Sequence, residues 1–170
     1  DALERLNINI LFAVGGDGTL KGAHAIHEEI ESRGLKISVA GVPKTIDNDI
    51  DYIEKTFGFD TAVTKSYDVI RDAHNEAKGA FNGIALIKLM GRDSGYIAAH
   101  ASLAIQEVNF VLVPEMDFDL HGANGFLEHL VKRILKKKHA LVVVAEGAGQ
   151  FLFDNQDVVK DKSGNVLHKD

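Results

Sequence analysis

Five short apolar runs stand out along the chain, and each is rich in Val, Ile, Leu or Phe and bounded by turn residues. They are INILFAVG at 8–15, KISVAGV at 36–42, GIALIKL at 83–89, VNFVLVP at 108–114 and HALVVVAEG at 139–147. Continuous rather than alternating hydrophobicity is typical of strands that are buried on both faces of a sheet. The pattern therefore predicts five buried β-strands.

Apolar residues at helical spacing fill the stretches between these runs. The predicted helices cover residues 19–33, 60–78, 94–105 and 123–138, and the chain opens on what reads as the last turns of a further helix. Gly34 follows the first of them and suits a helix C-cap. Strands that alternate with helices predict an α/β fold with a parallel sheet.

The polar and glycine-rich clusters of the chain all follow predicted strands. They are GGDGT at 15–19, PKTIDND at 43–49, MGRDSG at 90–95, PEMDFD at 114–119 and EGAGQ at 146–150. In open parallel sheets, ligands bind in the crevice at the carboxyl ends of the strands. We therefore expect a ligand site at this edge, assembled from these clusters.

Composition narrows the chemistry that such a site can carry. The 170 residues are 45% hydrophobic and 26% charged, which is ordinary for one globular domain. A net charge of −6 argues against non-specific nucleic-acid binding, and the absence of cysteine excludes disulfides, thiolate zinc sites and cysteine nucleophiles. No apolar run approaches the ~20 residues of a membrane span, and no signal peptide opens the chain, so we expect a cytoplasmic protein with no membrane partner.

The GGDGT cluster combines three glycines, an acid and a hydroxyl at a predicted helix start. Glycine lets the backbone approach a ligand closely, and amides at a helix N-terminus favour an anion such as phosphate. Asp17 would repel phosphate, so a cation such as Mg²⁺ would have to mediate. The same residues also fit a plain strand-to-helix turn with Thr19 as the N-cap.

The PKTIDND cluster puts a proline, a lysine and two aspartates between apolar runs. If this segment is extended, Thr45, Asp47 and Asp49 point to one side. One carboxylate could then hold a metal ion while the other takes a proton, and Lys44 would keep both ionised. The alternative is an Asx-type turn whose acids are exposed to solvent.

Arg92 and Glu146 add a guanidinium and a further carboxylate at strand ends. A guanidinium suits phosphate, although a surface salt bridge to Asp93 or Glu115 would also account for Arg92. Glu146 could accept sugar hydroxyls or cap a loop. An anion-cradling loop, acids for Mg²⁺, a candidate base, a lysine and an arginine together favour phosphoryl transfer.

Six motifs occur in an order that closely resembles the 6-phosphofructokinase family, over about residues 10–150. They are GGDGTLKGA, PKTIDNDI, TFGFDTAV, MGRDSGYIA, FVLVPE and AEGAGQ, and their details resemble the longer plant and trypanosomatid enzymes. GGDGT alone is also similar to NAD kinases and lipid kinases, which are a distant alternative. The resemblance implies α/β lobes with parallel sheets, Mg²⁺-dependent phosphoryl transfer from ATP to the 1-hydroxyl of fructose 6-phosphate in glycolysis, allosteric control, and a dimer or tetramer.

The resemblance also implies roles for individual residues. Asp47 would be the general base, and the catalytic group would include Thr45 and Lys44 beside it. Asp17 and Asp49 would hold Mg²⁺. The phosphoryl donor would be bound by Gly16, Asp17, Gly18 and Thr19, and the sugar phosphate by Thr45, Ile46, Asp47, Met90, Gly91, Arg92 and Glu146.

Two positions bear on the identity of the phosphoryl donor. Pyrophosphate-dependent members of the family typically carry aspartate in the place of Gly18 and lysine in the place of Lys44, whereas short ATP-dependent members carry glycine at both. This chain combines glycine at the first position with lysine at the second. Because an absent side chain leaves room for the α-phosphate of ATP, we expect ATP, with pyrophosphate as the alternative.

The resemblance divides the chain into parts of different function. Residues 1–58 would belong to the lobe that binds the phosphoryl donor and residues 59–150 mainly to the lobe that binds fructose 6-phosphate, so that the strands divide between two sheets. Residues 151–170 would be the polar tail of a truncated chain. Further ligand residues of the family would lie outside residues 1–170, so we expect the isolated segment to be inactive. A catalytically silent fragment that binds or oligomerises is the remaining alternative.

Overall fold

The structure is a computed structural model that describes residues 1–153 of the chain. Helices and strands alternate throughout this part. In chain order they are α1 (Ala2–Arg5), β1 (Ile10–Gly15), α2 (Asp17–Ser32), β2 (Ser38–Pro43), α3 (Phe59–Gly79), β3 (Gly83–Leu89), α4 (Tyr96–Ala104), β4 (Phe110–Leu112), α5 (Phe126–Lys137) and β5 (His139–Ala145), followed by a 3₁₀ turn at Gln150–Leu152. Every predicted strand and helix is present, with ends shifted by a few residues. Most of the predicted tail at 151–170 lies outside the described residues.

The five strands form two parallel sheets. In the first sheet β1 pairs with β2, so that Ile10 lies opposite Ser38 and Gly15 opposite Pro43. The second sheet has the order β3–β5–β4, which makes β5 its central strand. The predicted parallel α/β fold is therefore confirmed, with the strands of residues 1–58 in one sheet and those of residues 59–150 in the other.

Helix α2 ends at the predicted glycine. Gly34 adopts a left-handed φ of 64°, directly after the C-cap residue Arg33. Its N–H donates to the carbonyl of Glu31 at 3.0 Å, and the N–H of Leu35 donates to the carbonyl of Ile30 at 3.1 Å. These two bonds form a Schellman motif, which fixes the turn that leads from α2 into β2.

The apolar core lies between the second sheet and helices α3 and α4. Ile70 of α3, Ile97 of α4 and Leu141 and Val143 of β5 are almost completely buried in one cluster. The central strand β5 thus matches the prediction of burial on both faces. Within the described part of the chain, no helix combines the length and the apolar character needed to cross a bilayer.

Of the five described strands only β5 is buried on both faces as predicted, and β1 and β3 depart from that prediction most clearly. Ile10, Phe12 and Val14 alternate along β1, and each is more than half exposed. Ile84 and Leu86 do the same on β3. The described helix that packs most extensively on β1 is α2, and on β3 it is α3. One face of each strand is therefore left uncovered by the described residues, which a continuous apolar run cannot reveal.

Candidate active site

Residues from four of the five polar clusters line a single cavity of about 830 Å³. This cavity lies where β1, β2, β3 and β5 end, so the predicted strand-end site forms across both sheets. Its walls are Gly16, Asp17, Gly18, Thr19, Leu20, Thr45, Asp47, Asp49, Ile50, Asp51, Met90, Gly91, Arg92, Asp93 and Glu146. The PEMDFD cluster does not line it. Its residue Glu115 instead accepts the N–H of Gly95 at 2.7 Å and braces the neighbouring MGRDSG loop.

Two of the predicted site residues lie outside the cavity wall. Lys44 is exposed, and its backbone N–H donates to the carbonyl of Gly15 at 2.7 Å, which extends the pairing of β1 with β2. Ile46 is partly buried and packs against the apolar core. The structure brings all the other predicted site residues together.

The first turn of α2 forms one wall of the cavity. The helix starts at Asp17, and its N-cap is Gly16, which has extended backbone and no side-chain capping bond. Thr19 lies inside the first turn, so the alternative that makes it the N-cap is wrong. A Cβ on Gly15 would come within 2.2 Å of the Thr19 hydroxyl oxygen, so this tight turn requires glycine. Amides of a first helical turn have no acceptor within the helix, which favours an anion here.

The PKTIDND segment is bent, not extended. Asn48 adopts a left-handed φ of 55°. Its side-chain oxygen accepts a backbone N–H eight residues further on at 2.8 Å, which pins the turn. The extended geometry assumed from the sequence is therefore wrong. Thr45, Asp47 and Asp49 nevertheless line the same cavity, because the turn itself directs them there.

Asp47 has a raised pKa and a carboxyl oxygen without a hydrogen-bond partner among the described residues. Its side chain is partly buried, and its Oδ1 makes no hydrogen bond within the described part of the chain. Burial raises the pKa of this carboxyl, and the charges of Asp49, Glu146 and Asp93 raise it further, while Arg92 acts in the opposite direction. A buried oxygen without a partner costs free energy, so it marks a group that is suited to bind a proton or ligand.

The charge of the cavity suits a divalent cation. Among the lining residues, six carboxylates face one guanidinium, so phosphate groups would be repelled unless a cation intervened. Within the described residues, no three His, Asp or Glu side chains converge closely enough to hold a metal ion by themselves. Mg²⁺ is commonly held by one or two carboxylates together with water and substrate phosphates. Asp17 and Asp49, both exposed to the cavity, fit that pattern.

The cavity also contains acids that the sequence interpretation did not assign. Asp51 continues the alternation of Asp47 and Asp49 and lines the same cavity. This spacing is the sequence feature that indicates Asp51 as a site residue. Asp93 follows Arg92 directly and lines the cavity beside it. Ser94 is buried behind them and hydrogen-bonds to the backbone of Asp47. Nothing in the spacing of the sequence reveals that contact.

Comparison with known proteins identifies close relatives. The family profile described as Phosphofructokinase matches residues 1–169. The chain is 54% identical over 176 residues to an ATP-dependent 6-phosphofructokinase of Borreliella burgdorferi, in an alignment that covers 100% of this chain and 39% of the relative. It is 52% identical over 167 residues to the chloroplastic ATP-dependent 6-phosphofructokinase 5 of Arabidopsis thaliana, covering 98% of this chain and 31% of that protein. The chain thus spans well under half the length of these relatives.

Solved structures share the fold. A pyrophosphate-dependent phosphofructokinase from Nitrosospira multiformis is 25% identical with a TM-score of 0.69, over 86% of this chain and 38% of that one. A pyrophosphate-dependent phosphofructokinase from Marinobacter aquaeolei is 27% identical with a TM-score of 0.66, over the same shares of the two chains. Both likenesses agree with the parallel α/β arrangement described above.

Proposed function

Because this chain belongs to the phosphofructokinase family, we propose that its cavity is part of the phosphoryl-transfer site of a 6-phosphofructokinase. ATP would donate its terminal phosphoryl group to the 1-hydroxyl of fructose 6-phosphate. The observation that carries this proposal is the single cavity that gathers the glycine-rich turn, the acids and the guanidinium from both sheets. The activity is proposed for the whole protein, since the chain spans 39% of its Borreliella relative.

Asp47 is the proposed general base. Its carboxylate, which lines the cavity, would take the proton from the sugar hydroxyl as the oxygen–hydrogen bond breaks and the new oxygen–phosphorus bond forms. The bond between the transferred phosphorus and the leaving phosphate oxygen breaks in the same exchange. A raised pKa makes the carboxylate a stronger proton acceptor than an ordinary aspartate, which suits this role.

The first turn of α2 is the proposed donor site. The backbone at Gly16 and Gly18 and the hydroxyl of Thr19 would surround the phosphate groups of ATP. Asp17 and Asp49 would hold Mg²⁺, which neutralises phosphate charge when bound. Without such a cation the carboxylates of the cavity would repel the phosphates of ATP. Binding of Mg²⁺ and binding of ATP are therefore coupled at this site.

The loops after β3 and β5 are the proposed sugar-phosphate site. Arg92 would form paired hydrogen bonds with the substrate phosphate, and Glu146 would accept sugar hydroxyls. Met90 and Gly91 would complete this wall, with Thr45 opposite. Lys44 and Ile46 do not line the cavity wall, and their proposed parts in catalysis and in sugar-phosphate binding rest on the family resemblance alone.

The proposal extends to the pathway, the compartment, the regulation and the oligomeric state of the protein. We propose a step of glycolysis in the cytoplasm, carried out under allosteric control by a homo-oligomer, on the strength of family membership. Two relatives from Arabidopsis thaliana are named chloroplastic, so the compartment varies among the relatives.

Pyrophosphate is the second candidate donor, because two solved structures of similar fold are titled pyrophosphate-dependent. Their identities to this chain are 27% and 25%, whereas the curated relatives named ATP-dependent reach 54% and 52%. Together with the absence of a side chain at Gly18, this difference favours ATP. Initial rates of the full-length protein with ATP and with pyrophosphate decide between them, and activity with pyrophosphate alone would overturn the choice of ATP.

A substitution at Asp47 tests the site itself. In the full-length protein, Asp47→Asn should lower kcat about 10²- to 10⁴-fold, because a positioned base contributes roughly that much. The KM for fructose 6-phosphate should change little, since the base contributes mainly to the transition state. Asp72→Asn is the matched control, because Asp72 is exposed on α3 and does not line the cavity. Near-normal turnover of Asp47→Asn would refute the assignment.

A further inference from the structure

Ser94 connects the two sheets at the cavity through one hydrogen bond. Its Oγ donates to the backbone carbonyl of Asp47 at 2.8 Å, across 47 residues of sequence. Asp47 lies in the loop after β2 of the first sheet, and Ser94 lies in the loop after β3 of the second. The bond therefore joins the loop of the proposed base to the loop that carries Arg92.

The hydroxyl of Ser94 is itself held in a fixed position. Ser94 is only 2% exposed, and its Oγ also accepts the N–H of Tyr96 at 3.3 Å, where α4 begins. A Cβ on Gly91 would come within 2.2 Å of the Ser94 carbonyl oxygen, so the loop closes tightly on itself. Gly95 is tied to Glu115 by the bond described above. The Ser94 hydroxyl, which donates the hydrogen bond to Asp47, therefore belongs to a rigid turn.

The hydrogen bonds that the structure shows for Asp47 are made by its main chain. Its Oδ1 has no hydrogen-bond partner within the described residues. Its own N–H donates to the hydroxyl of Thr45 at 3.2 Å, which is a contact inside the same loop. The bond from Ser94 ties the main chain of Asp47 to the loop after β3 of the opposite sheet, beside the packing of Ile46 against the apolar core. The position of the main chain from which the carboxylate enters the cavity is thus fixed in part by Ser94.

We propose that Ser94 is a positioning residue, whose hydroxyl fixes the main chain of Asp47 and thereby aligns the base with a substrate held by the other loop. This inference rests on the proposed function, since alignment matters only if Asp47 takes the proton. Misplacement of a reacting group by about 1 Å can cost about 10²-fold in rate. A bond that aligns the base should therefore affect kcat more than KM.

The test compares two serines in the full-length protein. Ser94→Ala removes the hydroxyl with little change in volume. Ser66→Ala is the matched control, because Ser66 is also buried, at 7% exposure, and its Oγ donates to the carbonyl of Ala62 at 2.8 Å. Ser66 lies on α3 and does not line the cavity. Both variants lose one buried hydroxyl-to-carbonyl bond, so a purely structural effect should be similar in the two.

We expect kcat of Ser94→Ala to fall about 10- to 100-fold at a temperature well below both melting transitions, with the KM for fructose 6-phosphate changed less than about threefold. Ser66→Ala should keep wild-type kcat. Ser94→Cys, which retains nearly the same size and a weak donor, should lie between Ser94→Ala and the wild type. It also provides a folded variant for the comparison if Ser94→Ala does not fold.

The outcomes separate this inference from the proposed function. If the wild type phosphorylates fructose 6-phosphate and both alanine variants keep equal kcat, the positioning role is overturned and the proposed function stands. A rise in KM with unchanged kcat also overturns it, because the effect would then lie in substrate binding. If the wild type transfers no phosphoryl group to fructose 6-phosphate from ATP or pyrophosphate, both are overturned together. A loss of kcat confined to Ser94 supports the inference.

Discussion

Lys21 Nζ lies 2.5 Å from Asp17 Oδ2, one turn further along α2. Both side chains are largely exposed, and the hydrogen bond to Asp17, followed by the attraction of its charge, raises the pKa of Lys21. Asp17 is also the carboxylate that we assign to Mg²⁺. A second cation is therefore within reach of the proposed metal ligand, and the two must compete for it.

The first prediction measures this competition. Lys21→Met should lower the free Mg²⁺ concentration that gives half-maximal activity of the full-length protein, because it removes the competing cation. The decrease should be no more than about fivefold, since exposed ion pairs contribute little. Lys132→Met is the control, because Lys132 pairs with Glu128 at the same helical spacing on α5 and at 3.6 Å. A higher Mg²⁺ requirement in Lys21→Met would show that Lys21 assists metal binding instead.

The second prediction concerns the titration of Asp47. In the folded protein without substrates, burial and then the charges of Asp49 and Glu146 hold the pKa of its carboxyl above the ordinary value of 3.8. A carboxyl whose folded pKa is raised stabilises the fold when protonated and loses that contribution as the pH rises through the folded pKa. At pH 7 the ionised group is therefore destabilising, and Asp47→Asn should raise Tm while turnover is lost.

The pH dependence of this gain is the sharper measurement. The Tm advantage of Asp47→Asn over the wild type should shrink as the pH falls through the folded pKa of Asp47, because the wild-type carboxyl then becomes neutral as well. Calorimetry at several pH values measures it directly, and Asp72→Asn serves as the exposed control. A lower Tm for Asp47→Asn at pH 7 would show that the ionised carboxylate is stabilised in the fold.

Local sequence rules predicted the elements well because those rules act within a few residues. Gly34 ends α2 through a left-handed turn that glycine adopts without strain, and the sequence predicts that end directly. The exposed faces of β1 and β3 could not be predicted in the same way. Apolar residues such as Phe12 and Leu86 indicate a strand, but their burial depends on what packs against that face.

In the candidate site, too, some features follow from the local sequence and others depend on contacts between distant residues. Strand-end placement correctly predicted that GGDGT, PKTIDND and MGRDSG would meet, because parallel strands bring their carboxyl ends to one edge. The path of the chain within PKTIDND was not predictable from alternation, since the side chain of Asn48 pins a turn through a distant amide. The bond from Ser94 to Asp47 joins residues far apart in sequence, so it became visible only in the structure.

The third prediction uses two glycines in different surroundings. Gly22 lies inside α2, and a Cβ there would meet nothing within 4 Å, so Gly22→Ala should stabilise the protein by roughly 0.5–1 kcal/mol. Gly83 starts β3, and a Cβ there would stand 2.2 Å from the carbonyl oxygen of Ala77. Gly83→Ala should therefore destabilise by about 1–3 kcal/mol, because backbone must move. Chemical denaturation measures both, and equal effects at the two positions would contradict the packing described here.

The fourth prediction asks whether Gly18 determines the choice of phosphoryl donor. Gly18 lies in the first turn of α2 and lines the cavity, where the phosphates of ATP would be bound. Gly18→Asp adds bulk and a negative charge beside those phosphates, in a wall that already carries six carboxylates. The kcat/KM of the full-length protein for ATP should fall about tenfold or more, because the new side chain would crowd the α-phosphate. Any rate with pyrophosphate should fall less, since pyrophosphate has no nucleoside to accommodate.

Gly22→Asp is the matched control, because it adds the same charge one turn further along α2, in open space away from the cavity wall. Equal losses for the two donors, or equal losses at the two positions, would show that charge alone acts and that Gly18 does not determine the donor.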